Sequence, residues 1–201
     1  MKLFYTPGAC SLSPHIALEE INATFTLEKV DLKTKKTESG ADFTTINSKG
    51  YIPALLLDDG SLLTEGTVIA QYVADLKPEA GLIPAAGTAE RYKVLEWLSF
   101  ISTELHKPVG SMFNPAQSAD WKQATVATLN KRLDWLSSAL AGKTWLQGEQ
   151  FTIADGYLFT VLGWTKVVGF SLDAWPDLQA YAGRVAARPA VQRALKAEGL
   201  I

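Results

Sequence analysis

Apolar and polar positions divide the chain into two parts with different periods. In the first part, short apolar runs alternate with helical spacing. Lys2 to Tyr5 reads as a buried strand, followed by a loop through Thr6-Pro7-Gly8-Ala9-Cys10. Ser11 or Ser13 can cap the next helix, Pro14 suits its first turn, and Ile16, Ala17, Leu18 and Ile21 give it an apolar face. Phe25 to Asp31 alternates and predicts a second strand, and a short helix is expected before Asn47. The run Ala54-Leu55-Leu56-Leu57 predicts a third strand behind Ile52-Pro53. Asp58-Asp59-Gly60-Ser61 is turn chemistry, with glycine supplying a positive φ. Thr64-Glu65-Gly66-Thr67 opens a helix with Val68, Ile69, Tyr72, Val73 and Leu76 on one face. This order predicts a small mixed sheet with helices on both faces, in residues 1–80.

Lys77 to Gly87 carries two prolines and two glycines and reads as a linker. Beyond it, in residues 87–201, no strand signal stands out and helical spacing dominates. A long helix is expected from Thr88 to about Lys107, interrupted by Pro108-Val109-Gly110, and another from Asp120 to Leu140. Thr152 and Asp155 form a variant capping box, with Phe151 as its hydrophobic staple. Trp175-Pro176-Asp177 starts a further helix, and Arg188-Pro189 separates it from the last.

Composition narrows the function classes. A net charge of -2 without a Lys/Arg cluster argues against nucleic-acid binding. No apolar run reaches the roughly 20 residues a membrane helix needs. Met1 leads straight into a strand pattern, so no signal peptide is expected. The single cysteine rules out an intramolecular disulfide and agrees with a reducing cytoplasm. One cysteine and two well-separated histidines also make a weak metal case.

Three places can carry chemistry. Cys10 precedes a helix start, where the dipole and free N–H groups favour a thiolate. Ser99, Ser102, Thr103 and His106 fall at i, i+3, i+4 and i+7, a polar stripe on an otherwise apolar helix that would face a cleft between domains. Glu65 and Gly66 lie at the start of the helix behind the hairpin, where an unpaired set of N–H groups suits a carboxylate. His15, beside Pro14, reads as structural. Trp164, Val167, Val168 and Phe170 can line an apolar pocket or simply pack a core.

Residues 47–76, with the proline before the third strand and Glu65-Gly66 behind it, resemble the glutathione-binding half of the glutathione transferases. The opening KLFYTPGACSLSPHIALEE and the run Thr103-Glu104-Leu105-His106-Lys107 resemble the bacterial beta class, which has a cysteine near the start. The resemblance implies a thioredoxin-like N-terminal domain that binds glutathione and an all-α C-terminal domain that lines the electrophile site. It places Cys10 beside the glutathione sulfur, with His106 approaching the same atom. It gives Glu65 the γ-glutamyl ammonium, Gly66 the carboxylate, Ile52 the cysteinyl backbone and Lys35 the glycine carboxylate, although Lys33 and Lys36 lie close to Lys35. It counts Ser99, Thr103, Glu104 and Leu105 of the matching helical segment, with His106, among the glutathione-binding residues, and Glu104 would reach the partner subunit's glutathione in a homodimer.

Two departures stand out: Ser99 replaces a frequent asparagine, and Ser48 replaces a proline in the turn before Gly50. The implied activity is conjugation of glutathione, as co-substrate and without a further cofactor, to hydrophobic electrophiles in cytoplasmic detoxification. Hydrogen bonds from Cys10 S–H or Ser11 O–H and from His106 would favour the thiolate. Thiol–disulfide exchange or peroxide reduction through Cys10 is a second enzymatic reading. A non-catalytic protein that stores apolar ligands is the alternative from another class.

Overall fold

The computed structural model describes residues 1–201, which divide into two compact units. The first comprises residues 1–83 and 188–201, and the second residues 84–187.

The first unit is built on four strands in the order β2-β1-β3-β4: β1 (Lys2–Tyr5), β2 (Thr26–Lys29), β3 (Ala54–Leu56) and β4 (Leu62–Thr64). β1 runs parallel to β2, with Leu3 opposite Leu27, and α1 (Leu12–Glu20) makes the crossover. β3 pairs antiparallel with β1 and β4, placing Leu55 opposite both Leu3 and Leu63. Because side chains alternate across a strand, Phe4 points to the opposite face from Leu3. There it packs with Phe43 of α2 (Phe43–Ile46), ring centroids 5.5 Å apart, and with Val30, Ile52 and Ala54. α3 (Gly66–Asp75) packs beside α1. This is the thioredoxin-like layout.

The last helix, α9 (Pro189–Ala197), belongs to this unit and not, as expected from residues 87–201 forming one helical domain, to the second. Its face of Ala190, Val191, Ala194 and Leu195 is buried. Arg188 forks onto the two carboxylate oxygens of Glu20 at 2.6 and 2.9 Å, and Arg193 reaches Glu19 at 2.6 Å. These partners lie about 170 positions apart in the chain, so local spacing carries no trace of them.

The second unit is all helical: α4 (Ala89–Phe100), α5 (Lys107–Ser111), α6 (Ala119–Leu140), α7 (Ile153–Val167) and α8 (Pro176–Ala186). Thr88 caps α4 by accepting from Arg91 N–H, and Ser118 caps α6 in the same way through Trp121 N–H. The expected long helix departs from its sequence reading between α4 and α5. Residues Ile101–His106 form a π-helical turn, closed by the Lys107 N–H donating to Ser102 O. Pro108 has no N–H and its ring would collide with the Glu104 carbonyl four residues earlier. The wider turn removes that collision, so the chain continues through Pro108 and the irregularity falls one turn before it. The Thr152–Asp155 capping box forms, but the residue that would complete a staple is Gly156. Phe151 instead meets Trp145 edge-on, centroids 5.2 Å apart. No helix is long and apolar enough to cross a membrane.

Candidate active site

The N-terminal unit gathers Cys10, Ile52, Pro53, Glu65 and Gly66. The Ile52–Pro53 bond is cis. The loop leading to it is closed by Asn47, whose side-chain amide donates to Tyr51 O at 2.7 Å and whose carbonyl accepts from Gly50 N–H at 2.8 Å. Gly50 takes φ +66°. With Asn47 buried in this role, the turn holds with serine at position 48. The Cys10 thiol donates to Ile52 O at 3.4 Å, which joins the first loop to the third strand. A β-carbon at Gly66 would lie 3.4 Å from Pro53 Cγ and 4.0 Å from Cys10 O, so the helix start abuts both.

Glu65 is not in the first turn of α3 but at its N-cap, with φ +69° and ψ 112°. A non-glycine residue there costs about 1–3 kcal/mol and persists only where the surroundings impose it. Its side chain makes no cap hydrogen bond, so compensation of the helix dipole does not account for it. The carboxylate instead meets Lys49 Nζ at 2.6 Å, and the same ammonium reaches Thr64 Oγ1 at 3.1 Å. Both side chains remain more than half exposed, so this pair opens to solvent at little cost. Lys49 had no signal in the sequence beyond its place in a polar turn.

The expected thiolate at Cys10 does not form. Burial pushes its pKa up to about 11, against smaller lowering by the Cys10 and Ser11 backbone N–H groups, with the nearby Glu65 charge raising it further. Desolvation therefore outweighs the helix start, and Cys10 stands as a neutral S–H donor. Ser11 cannot share that role as expected, because its hydroxyl is committed to Thr6, donating to the carbonyl and accepting from the N–H at 3.2 Å each.

Lys35 separates itself from its neighbours. It adopts φ +57° and sends Nζ to Gly50 O at 3.0 Å, 6.0 Å from the Tyr51 ring. Lys36 faces Asp42 at 3.8 Å instead, and the Lys33 backbone closes on Asp31. His15 is structural, as read. Its Nδ1 lies 2.8 Å from Glu198 Oε1, both side chains fully buried. The other oxygen of Glu198 accepts from Gly8 N–H at 2.7 Å, so the C-terminal segment holds the loop that carries Cys10.

In the helical unit the polar stripe splits. Ser99 and Thr103 are exposed, and the Thr103 hydroxyl turns back to Ser99 O at 3.1 Å. Thr103, Lys107 and Ser111 line a groove of about 450 Å³ against Trp121 and Thr125 of α6. Glu104 pairs with Arg132 of α6 at 2.5 Å. The Leu105 side chain is 1% exposed and belongs to the core, so only its backbone is available to a ligand. His106 turns the other way, toward α7. Its Nδ1 is 2.6 Å from the Tyr157 hydroxyl, and its ring stands edge-on to Trp164 with centroids 4.7 Å apart. Burial, helped by the Lys107 charge, lowers its pKa to about 4, so it is neutral at physiological pH. The π-helical turn is the cause of the split, since strict α spacing would have kept all four residues on one face.

Of the residues considered for an apolar pocket, Trp164 meets His106 and Phe113, the latter at 6.1 Å, and Phe170 stacks on Trp175. Val167 is 73% exposed.

Residues 8–76 match the family described as glutathione S-transferase, N-terminal domain, and residues 100–189 its C-terminal domain. The chain belongs to the glutathione S-transferase family. It is 49% identical to glutathione S-transferase GstA of Escherichia coli over the full length of both chains. A sphingomonad glutathione S-transferase solved in complex with glutathione is 50% identical, with a TM-score of 0.95 and full coverage of both chains. The bacterial beta class enzyme of Sphingomonas chungbukensis is 49% identical, with a TM-score of 0.96 and full coverage of both. This chain is accordingly an enzyme of the bacterial beta class, and its membership favours catalysis over the non-catalytic alternative.

Proposed function

We propose that the N-terminal unit binds glutathione on the frame of Ile52, cis-Pro53, Glu65 and Gly66, and that Cys10 and His106 donate hydrogen bonds to its sulfur during attack on a hydrophobic electrophile. The observation that carries this reading is Glu65. Its backbone is held at φ +69°, its carboxylate is unused by the helix it caps, and it lies within electrostatic reach of Cys10. An α-ammonium in place of the Lys49 ammonium satisfies that carboxylate. The N–H groups at the start of α3 suit the adjoining carboxylate of a γ-glutamyl group. Lys35, fixed against Gly50 O, suits the glycine carboxylate at the other end of an extended tripeptide. The sphingomonad relative's complex with glutathione supports the same ligand here.

The chemistry is nucleophilic attack by the glutathione thiolate. A free thiol with pKa about 8.5 is mostly protonated at neutral pH, so donors that favour its anion raise the rate. Cys10, itself protonated, serves as such a donor when its S–H turns from the long 3.4 Å contact with Ile52 O to the ligand sulfur. Its raised pKa weighs against the second reading, thiol–disulfide exchange, which needs the protein thiolate. Titration calorimetry with glutathione and turnover of a chlorinated dinitrobenzene test the reading together. Absence of both binding and turnover in folded protein would overturn it.

We place the enzyme in the cytoplasm, where a lone free cysteine and a reduced thiol co-substrate are compatible, and assign it to detoxification. A homodimer with two-fold symmetry is the expected assembly, with Glu104, steadied by Arg132, available to a partner's ligand. Sedimentation at micromolar concentration should give twice the 21.8 kDa chain mass, and a lone monomer would contradict it.

A further inference from the structure

One ring nitrogen of His106, Nδ1, has a defined partner. Nδ1 lies 2.6 Å from the Tyr157 hydroxyl, and the two rings meet edge-on with centroids 5.8 Å apart. Trp164, two turns further along α7, approaches the same imidazole at 82°. One hydrogen bond and two aromatic contacts from a single helix therefore set the plane of the ring.

That helix is itself anchored close by. The buried carboxylate of Asp155 accepts from Leu146 N–H and Thr152 N–H at 2.8 Å each, from the Thr152 hydroxyl at 3.0 Å and from the Tyr181 hydroxyl at 2.7 Å. Tyr157 sits two residues beyond this knot and is buried, so its hydroxyl has little freedom to leave Nδ1.

What the heavy atoms leave open is where the single proton of the neutral ring resides. A phenol O–H is a stronger donor than a neutral imidazole N–H. The unprotonated imidazole nitrogen is also a stronger acceptor than a phenol oxygen. The short contact at Nδ1 therefore runs from Tyr157 to His106. The geometry points to Tyr157 as a positioning residue that donates to His106 Nδ1 and holds the imidazole in its Nε2–H tautomer, so that the second nitrogen, Nε2, is a hydrogen-bond donor and not a base.

This rests on the proposed function, in which His106 faces a sulfur that becomes anionic. For that task the tautomer decides the sign of the interaction. An N–H at Nε2 stabilises a thiolate, whereas a lone pair at Nε2 repels it. Second partners of histidines set which ring nitrogen is presented, as they do around metals. The ring stays neutral because it is buried, so the donor persists through the physiological range without titrating. Nothing in the polar stripe points to Tyr157, which lies 51 positions away.

The chain has only two histidines, so long-range ¹⁵N–¹H correlation spectra of the whole protein contain two imidazole patterns. Loss of one pattern in His106→Gln assigns them. Between pH 6 and 8 the wild-type His106 pattern should show a protonated Nε2 and an unprotonated Nδ1. In Tyr157→Phe, which keeps the ring packing, both tautomers should appear, and kcat for conjugation should fall about fivefold while KM for glutathione stays within about twofold. A protonated Nδ1 in the wild-type protein would overturn the assignment. So would a Tyr157→Phe protein that retains the Nε2–H form alone. The wild-type spectrum stands as a test even where the variant folds poorly. If His106→Gln conjugates as fast as wild type while the spectra are as expected, the tautomer assignment stands and the role of His106 at the sulfur falls.

Discussion

The two groups of candidate residues are held in place by opposite means. In the N-terminal unit, position comes from backbone. A cis-proline, an N-cap glutamate at positive φ and a turn closed by Asn47 fix where peptide groups point, and the charged side chains around them stay exposed. In the helical unit the backbone contributes one π-helical turn, and position comes from side-chain packing: His106 is wedged against Tyr157 and Trp164. The first arrangement suits recognition of an extended peptide, whose own backbone seeks fixed partners. The second suits a single chemical group that must keep one protonation state. Backbone devices leave marks in the sequence as Pro, Gly and Asn, whereas packing partners do not.

The sharpest test of the contrast is Cys10, a side chain in the backbone-built region whose chemistry is set by burial. A thiol with pKa about 11 has roughly a hundredfold less thiolate at pH 7 than a free cysteine with pKa near 9. Alkylation by iodoacetamide should be slower than for free cysteine by about that factor, and should accelerate steadily up to pH 10 because the neutral form persists below its raised pKa. Reaction at the rate of free cysteine would show that the helix start, not burial, controls the sulfur.

Glu65→Ala should weaken glutathione binding by about 2 kcal/mol, roughly thirtyfold, because a charge-assisted contact is lost and the ligand's ammonium is left unpaired. Lys49→Met should do the reverse on a small scale, since it removes the ion pair a ligand ammonium would have to displace. Calorimetry of both variants measures the two effects. An unchanged dissociation constant in Glu65→Ala would mean that its strained backbone serves some other purpose.

On the other side of the comparison, His106→Ala should lower kcat about twentyfold and Cys10→Ala by no more than about tenfold, as the attacking sulfur belongs to glutathione and its donors are partly redundant. Steady-state rates with a chlorinated dinitrobenzene decide the order. Because the His106 pKa is lowered from 6.5 to about 4, the ring is neutral above pH 6, and since protonation at Nδ1 would keep the Nε2–H donor, His106 should place no inflection in the rate between pH 6 and 8. An inflection near 6.5 that vanishes in His106→Ala would show the ring to be solvated.

Legibility follows the same division. The strands, the hairpin at Gly60, the proline before β3 and the Thr152–Asp155 box all rest on residues within a few positions of one another, and the chain announces them. Three features escape it because they depend on distant packing. Glu65 looks like an ordinary first-turn glutamate, and the structure puts it at the N-cap with φ +69° and no cap hydrogen bond. His106 shares a helical stripe with Ser99 by spacing, and the π turn before Pro108 separates them. α9 looks like one more helix of the second domain until Arg188, Arg193 and Glu198 find Glu20, Glu19 and His15. The resemblance supplied the residue types of the site, and only the structure shows which of them are held, and by what.

The smallest expected effect concerns Gly66, where the two kinds of positioning meet. A glycine here keeps the backbone N–H at the start of α3 and forgoes any side-chain donor. Nothing steric demands it. Its φ is not in the left-handed region, and an added β-carbon would make ordinary contacts of 3.4 and 3.7 Å with Pro53 and 4.0 Å with the Cys10 carbonyl. Serine therefore fits without moving the loop, restricts the unfolded chain slightly, and adds a hydroxyl beside the N–H groups already available to a carboxylate. One extra neutral hydrogen bond to a charged ligand group, offset by the water it replaces, amounts to about 0.7 kcal/mol. Gly66→Ser should bind glutathione about threefold more tightly with kcat unchanged, because the gain lies at the γ-glutamyl end, away from the reacting sulfur. Weaker binding would mean that Pro53 cannot yield even to ordinary contact. A change in kcat at constant affinity would mean that the start of α3 acts on the sulfur and not on the carboxylate.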